Sequence, residues 1–385
     1  MKLLTVSPFF ESHRGGVEIV AGRLARELVG HGLDVTWLAG DASPPPEAMM
    51  RCVPLSASNL LERRVGVPYP LLSPSAVMRL VRAVRQADAV LVHDSLYLTS
   101  LVAAAAARLS GKPLVVVQHI GEVLYRSPVL RGMMKLANAL LARPLLRSAD
   151  QVVFISEITA RHFEGLRFRR PPLLVFNGVD TEVFQPGASA RFALGLPMDG
   201  PVALFVGRFV EKKGLHLMER LARARPDVCW AFAGWGALDP SRWSLPNVTV
   251  FDGLSGASLA ELYRASDVLV LPSTGEGFPL VIQEALACGL PVVCGAQTAT
   301  ADPVAAPLLS GVALAGPEAE VTARLSAAVD TALADRANSA ARVAFVRGRY
   351  AWSSVGERYA RLLESLVAQR RTGEASPAVI NRAAT

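Results

Sequence analysis

Residues 202–214 read VALFVGRFVEKKG. Five apolar residues without polar alternation stop at a glycine, and a basic loop follows before the next helical pattern. A short apolar run bounded in this way reads as a strand buried on both faces, the kind found in a parallel sheet covered by helices. Moving outward, the same grammar recurs at Val228–Ala233, Val248–Phe251, Val268–Leu271 and Pro291–Cys294, with helical patterns between. It also fills the first half, at Leu3–Val6, Val35–Ala39, Ala89–Val92, Leu114–Val117, Val152–Ile155 and Leu173–Phe176. Helices Val17–His31 and Ser75–Ala87 separate the first of these. Two series of alternating strand and helix predict an α/β protein made of two doubly wound, Rossmann-like domains facing each other across a cleft. Ligands are then expected at the carboxyl ends of the strands. The Gly- and Pro-rich stretch Gln185–Pro201 lies between the series and reads as the interdomain linker. The expected division is 1–190, 191–352, and a terminal segment 353–385. That segment is a helix (about Ser353–Arg371) able to cross back to the first domain, followed by a frayed tail.

Composition agrees with this size. The chain has 385 residues, 51% hydrophobic and 19% charged, which suits two cores rather than one. Mean hydropathy is +0.32, yet no apolar run reaches the ~18 residues of a membrane span; Arg108 closes the longest candidate, Leu96 to Leu109. The N-terminus reads as a strand followed by Glu11, not as a secretory signal. Cys52, Cys229, Cys288 and Cys294 show no metal or disulfide spacing and read as reduced, buried thiols. The stretch Asp41–Pro54, with three consecutive prolines, reads as a surface loop. Net charge is +7, and residues 1–190 carry 21 basic against 15 acidic side chains, so +6 of it lies there. Such asymmetry points to an acidic partner. Nucleic acid is disfavoured, because no nucleic-acid-binding signature accompanies the arginines.

Several segments carry candidate chemistry. Arg208 and Lys213 follow a strand and precede a helix, where cations and backbone N–H groups together favour phosphate. A solvated basic loop explains the same residues, and the pattern is not a Walker loop. In LPSTGEGFPLVIQEA (271–285), Glu276 precedes a helix and Glu284 lies inside it among apolar residues. A carboxylate there requires donors, and ribose hydroxyls are suitable ones; a partly exposed helix acid is the plainer alternative. His93 and Asp94 end a strand and are candidates for acceptor contact, a structural strand-end histidine being as good a reading. Gly234-Trp235-Gly236 is a weak fragment of a dinucleotide fingerprint. Val123–Ala149 contains no acid and five bases, Arg126, Arg131, Lys135, Arg143 and Arg147, interspersed with Met133, Met134, Leu136, Leu140 and Leu141. That combination reads as an interfacial helix, with an ordinary covering helix as the alternative.

Taken together, VGRFVEKKG, WAFAGWG, NVTVFDGL, LAELYRASDVLVLPS and EGFPLVIQEALACGLPVV resemble the C-terminal domain of the retaining glycosyltransferases of family four, which have the GT-B fold. Gly15-Gly16-Val17-Glu18, SADQVVFIS (148–156) and FNGVDTEVFQP (176–186) extend the resemblance over nearly the whole chain. The resemblance implies an N-terminal acceptor-side domain and a C-terminal nucleotide-sugar domain. It implies that Arg208 and Lys213 hold the donor diphosphate, Glu284 the ribose, and that Glu276 lies near the donor sugar. The backbone of Gly277, Phe278, Pro279 and Leu280 would reach sugar and phosphate. Gly15 and Gly16 would form the loop beside the diphosphate, and His119 would lie near the reacting sugar. Pro279 departs from the glycine common in relatives and removes one N–H.

The expectation is therefore a retaining, metal-independent hexosyltransferase that uses a UDP- or GDP-sugar and no cofactor. No D-x-D occurs, and two fixed cations would take a metal's place. The expected acceptor is a lipid-linked saccharide or another saccharide in cell-surface polysaccharide or glycolipid synthesis. The expected location is cytoplasmic, peripheral on the inner face of the membrane and in contact with anionic lipid. The alternatives are a sugar-nucleotide epimerase of the same fold and a non-catalytic nucleotide-sugar-binding scaffold.

Overall fold

The computed structural model describes residues 1–13, 15–40, 49–59, 69–121, 128–274, 278–335 and 337–372. The chain divides into two compact units. The first takes Met1–Ile155, His162–Val175 and the terminal segment from Val355; the second takes Ser156–Arg161 and Phe176–Ser354. The chain thus changes unit at Phe176, not at the Gly/Pro-rich stretch 185–201. That stretch is fastened to the second unit. Arg191 donates to Ala265 O (2.8 Å) and Gly200 O (3.0 Å) and pairs with Asp267 (2.5 Å), whose Oδ2 also accepts from Val202 N. Gly and Pro report turns, and an ion pair spanning 76 residues leaves no local trace.

In the first unit, β1 (Lys2–Ser7), β2 (Asp34–Ala39), β3 (Arg51–Pro54), β4 (Ala89–His93), β5 (Leu114–Gln118), β6 (Gln151–Phe154) and β7 (Leu173–Leu174) form one parallel sheet. Its order is β3-β2-β1-β4-β5-β6-β7. All five residues of β4 and of β5 are buried, as expected of strands covered on both sides. β3 corrects the reading of Asp41–Pro54 as loop throughout: residues 41–48 lie outside the described set, but Arg51–Pro54 pair with Thr36–Ala39. As an edge strand it is only half-buried, so its sequence lacks the unbroken apolar run of a central strand. Helix α1 (Gly16–Gly30) follows β1. Helix α2 (Pro74–Gln86) starts on a Ser73 side-chain cap, 3.2 Å from Ala76 N, with Pro74 in its first turn. Helix α3 (Leu98–Leu109) follows β4. The segment 128–148 is helical throughout, with a π turn at Asn138–Ala142.

In the second unit, β8 (Val202–Val206), β9 (Cys229–Ala233), β10 (Val248–Phe251), β11 (Val268–Leu271), β12 (Val292–Gly295) and β13 (Leu309–Val312) are also parallel, in the order β10-β9-β8-β11-β12-β13. β13 carries no unbroken apolar run, and Gly311 within it lies close against Ala299. Helices α4 (Leu215–Ala224), α5 (Gly256–Ala265), α6 (Leu280–Ala287), α7 (Glu318–Ala334) and α8 (Ser339–Arg349) connect and cover these strands. A last helix, α9 (Trp352–Thr372), begins against Gly178 of the second unit. Its body belongs to the first, where Arg370 donates to Gly111 O (3.0 Å) and Gly356 lies against Glu27 and His31. All four cysteines are free thiols, and burial pushes those of Cys288 and Cys294 up to about 12.

Each sheet reverses its winding once, between β1 and β4 and between β8 and β11. Loops leaving those neighbouring strands on opposite sides open a crevice at their carboxyl ends. In the second unit the two loops are held together by backbone. Gly214 has φ 75°, and a Cβ on it would stand 2.3 Å from Pro272 O. Thr274 N donates to Lys212 O at 3.0 Å beside this contact. Gly214→Ala therefore combines backbone strain with a steric clash and should destabilise by about 2–3 kcal/mol. Calorimetry should show Tm falling by roughly 5 °C or more; an unchanged Tm would contradict this packing.

Candidate functional site

In the second unit, β8 delivers the chain to Gly207, whose φ of 149° suits glycine and whose N–H donates to Ala233 O (2.9 Å). Arg208 follows, exposed, and Lys213 is half-buried. A Cβ on Gly207 would meet Lys213 Cε at 3.6 Å and Nζ at 3.7 Å. The lysine thus lies back along the loop, its ammonium beside the end of β8. The glycines of Gly234-Trp235-Gly236 serve the same loop. A Cβ on Gly234 would be 1.9 Å from Gly207 O, and one on Gly236 2.4 Å from Phe209 O. Phe209 N donates to Trp235 O at 2.7 Å. Close backbone approach, not a dinucleotide fingerprint, accounts for this pair.

Across the switch point, α6 starts after Pro279, with Ile282 N donating to Pro279 O (3.1 Å). Glu276 and Gly277 lie outside the described residues. Phe278 is buried against Phe176 and Tyr350, each ring centroid 5.5 Å away. Only its backbone, with that of Pro279 and Leu280, is left for a ligand. Glu284, one turn into α6, is half-buried. Tyr263 Oη on α5 donates to its Oε2 at 2.9 Å, and its Oε1 has no protein partner among the described residues. Burial pushes the Glu284 carboxyl up to about 7, and the Tyr263 hydrogen bond opposes that rise. Tyr263 was missed in the sequence. Its signal is a tyrosine at an apolar position of an amphipathic helix, because a buried hydroxyl needs a partner. The loop after β8 thus carries two cations, and the helix after β11 offers a start suited to phosphate and a desolvated carboxylate with one oxygen unpartnered among the described residues.

In the first unit, α1 starts at Gly15 and Gly16. The Glu18 carboxylate folds over Gly15, where a Cβ would meet its Oε2 at 2.0 Å, whereas Gly16 faces open space. At the end of β4, Asp94 adopts φ 67°, a conformation that Asp tolerates better than most residues. It is fully buried. Its Oδ1 accepts from Ser95 N (2.8 Å), Leu96 N (3.4 Å) and Gln118 Nε2 (3.2 Å), and its Oδ2 from Ile120 N (3.1 Å). Burial raises its pKa to about 6 against these bonds. Asp94 therefore ties the loop after β4 to the loop after β5, and neither it nor fully buried His93 is exposed to an acceptor. Gln118, also missed in the sequence, bridges Asp94 and Ile120 O (2.7 Å). His119 is half-buried, with its Nε2 3.0 Å from His93 Nδ1. Desolvation lowers its pKa to about 3 and that of His93 well below the usual value, so the pair is neutral at physiological pH.

The raised pKa of Glu284 has a direct consequence. A carboxyl titrating near 7 when folded and 4.5 in the reference state contributes stability below the lower value and loses it as pH rises through the upper. Glu284→Gln should therefore melt at about the same temperature as wild type below pH 4 and above it at pH 8, without nucleotide. A difference in Tm independent of pH would refute the desolvated carboxylate.

The family profile "Glycosyltransferase Family 4" matches residues 14–183, and "Glycosyl transferases group 1" matches residues 188–345. A D-inositol 3-phosphate glycosyltransferase of Segniliparus rotundus is 34% identical over 256 residues, 60% of this chain and 55% of that one. The enzyme of the same name from Acidothermus cellulolyticus is 27% identical over 405 residues, covering 93% of this chain and 87% of its own. The structure of Anabaena HepE in complex with UDP-glucose superposes with a TM-score of 0.70 over 95% of this chain and 100% of that one, at 19% identity, a likeness of fold. With both profiles in order along the chain, and with a doubly wound parallel sheet in each unit, the protein belongs to the family 4 glycosyltransferases and has the GT-B fold.

Proposed function

We propose that this protein is a retaining, metal-independent glycosyltransferase that moves a hexosyl unit from a UDP- or GDP-sugar to a lipid-linked saccharide in cell-surface polysaccharide or glycolipid synthesis. The observation that carries the donor half is that Arg208 and Lys213 follow β8 while Glu284 lies in the helix that follows β11, the two strands between which the second sheet reverses. As the sugar leaves, the bond from its anomeric carbon to the phosphate oxygen breaks and charge accumulates on the diphosphate. Arg208, Lys213 and the N–H groups opening α6 are suited to stabilise that charge. Glu284, braced by Tyr263, is suited to accept from the ribose hydroxyls. The family resemblance assigns Glu276 and His119 to the sugar. No carboxylate is identified as a covalent nucleophile, so the acceptor hydroxyl would attack from the face the diphosphate leaves, its proton passing to the departing phosphate. The curated relatives act, by name, on an inositol phosphate, and the HepE structure contains UDP-glucose. The first supports glycosyl transfer, and the second a nucleotide-sugar donor.

The acceptor half rests on the helical segment 128–148. Met133, Leu136 and Leu140 are each at least 60% exposed, and Arg131 and Lys135 are exposed beside them. No described helix is long and apolar enough to cross a membrane, so contact would be peripheral. Near an anionic leaflet each basic side chain contributes ~1 kcal/mol, enough with the apolar side chains for reversible docking. The relatives' names favour a second reading, in which the acceptor is a small phosphorylated polyol and this surface has another use.

Three outcomes are expected. Arg208→Ala should reduce kcat by ~10²–10³-fold with the fold intact; near-full activity would remove it from the diphosphate site. Transfer should persist in EDTA, and loss reversed by manganese or magnesium would end the metal-free reading. Wild-type protein should co-sediment with anionic liposomes at low salt, and reversing the charges of Arg131, Lys135 and Arg143 should abolish this without changing donor binding. A wild-type protein that ignores such liposomes would favour the phosphorylated polyol.

A further inference from the structure

His93 and His119 hold four ring nitrogens, and among the described residues their surroundings leave one for a ligand. His93 Nδ1 and His119 Nε2 are 3.0 Å apart and face each other in a hydrogen bond. His93 Nε2 is buried with no partner among the described residues. His119 Nδ1, on a half-buried ring, has no protein partner among the described residues.

Two arrangements of protons satisfy the shared bond. If His119 Nε2–H donates, the neutral His93 must carry its proton on Nε2, which leaves a buried N–H with no acceptor. If His93 Nδ1–H donates, the unpartnered His93 Nε2 is a bare acceptor, and His119 carries its proton on Nδ1. Orphaned buried N–H groups are rarer than under-satisfied acceptors, so the second arrangement is favoured. His93 itself has little freedom. Its ring is fully buried, its carbonyl accepts from Ser100 Oγ, and the next residue is anchored by four hydrogen bonds to its carboxylate.

We infer that His93 is a positioning residue that fixes His119 as the Nδ1–H tautomer, so that the pair presents one N–H donor, and no proton acceptor, to whatever binds there. A sugar hydroxyl or a phosphate oxygen is the ligand chemistry this suits. The tautomer stands on the geometry of the pair. Its use during glycosyl transfer rests on the proposed function, as a donor oriented in advance and not as a general base.

The test is nitrogen NMR of the full-length protein labelled with ¹⁵N-histidine, the His119 signals being assigned through His119→Gln. Wild type should show a protonated Nδ1 and a bare Nε2 on His119, and the same on His93. His93→Leu removes the internal donor and should release His119 into a mixture or into the Nε2–H form. His93→Asn keeps an N–H where Nδ1 stood and should restore the wild-type pattern. Transfer kcat should fall roughly 10–100-fold in His93→Leu, the scale of losing reactant orientation, with donor KM within about twofold and recovery in His93→Asn. A protonated Nε2 on wild-type His119, or an unchanged tautomer in His93→Leu, would overturn the inference. If His93→Leu does not fold, wild type and His93→Asn still decide it. If wild type transfers no sugar, the proposed function fails while the spectra still decide the tautomer.

Discussion

At Gly214 the chain has no room for a side chain. The backbone takes a left-handed turn, and the space a Cβ would fill belongs to the carbonyl of Pro272. This contact presses the loop after β8 onto the loop after β11, the two strands between which the second sheet changes direction. Gly234 and Gly236 do the same on the other flank, admitting the carbonyls of Gly207 and Phe209. Lys213 lies within this closely packed loop, its side chain alongside Gly207. Exposed Arg208 contributes little to stability. Its place at the end of β8 makes sense through a ligand, whereas that of the glycines makes sense through the fold.

The first unit solves the corresponding problem with buried polarity. Asp94, in a conformation usually left to glycine, collects four donors from the ends of two neighbouring strands. A carboxylate without water is tolerated because its lone pairs are used. The two carboxylates that matter most differ in this respect. Asp94 has spent its acceptor capacity inside the protein, whereas Glu284 has one oxygen held by Tyr263 and one without a protein partner among the described residues. The first is an architectural acid and the second retains capacity for a ligand, while burial raises the pKa of both.

Much of this was legible in the sequence because buried parallel strands write long apolar runs and phosphate loops write glycines and cations in order. The central strands, Arg208 and Lys213 at a strand end, and Glu284 within a helix were all readable. Edge strands were not: Arg51–Pro54 and Leu309–Val312 are half-covered and carry mixed sequences. The fastening of the stretch 185–201 to the second unit was not readable, because Arg191 and Asp267 meet only in three dimensions. Tyr263 and Gln118 escaped notice for a similar reason, since each acts through a partner distant in the chain. His93 and Asp94 were readable at a strand end, but their burial and their partners His119, Gln118 and Ile120 were not.

The proposed function requires a nucleoside diphosphate to bind where β8 and β11 part. Titrating UDP and GDP against the purified protein while following Tm tests it most directly. At a hundred times its dissociation constant, a single-site ligand adds about 2.7 kcal/mol to the unfolding free energy. One of the two nucleotides should raise Tm in this saturable way, and Lys213→Ala should shift the titration to higher concentration by roughly tenfold or more, the scale of a charge-assisted hydrogen bond. If neither nucleotide moves Tm, or if Lys213→Ala titrates as wild type does, the donor is not held at the loop this account assigns to it.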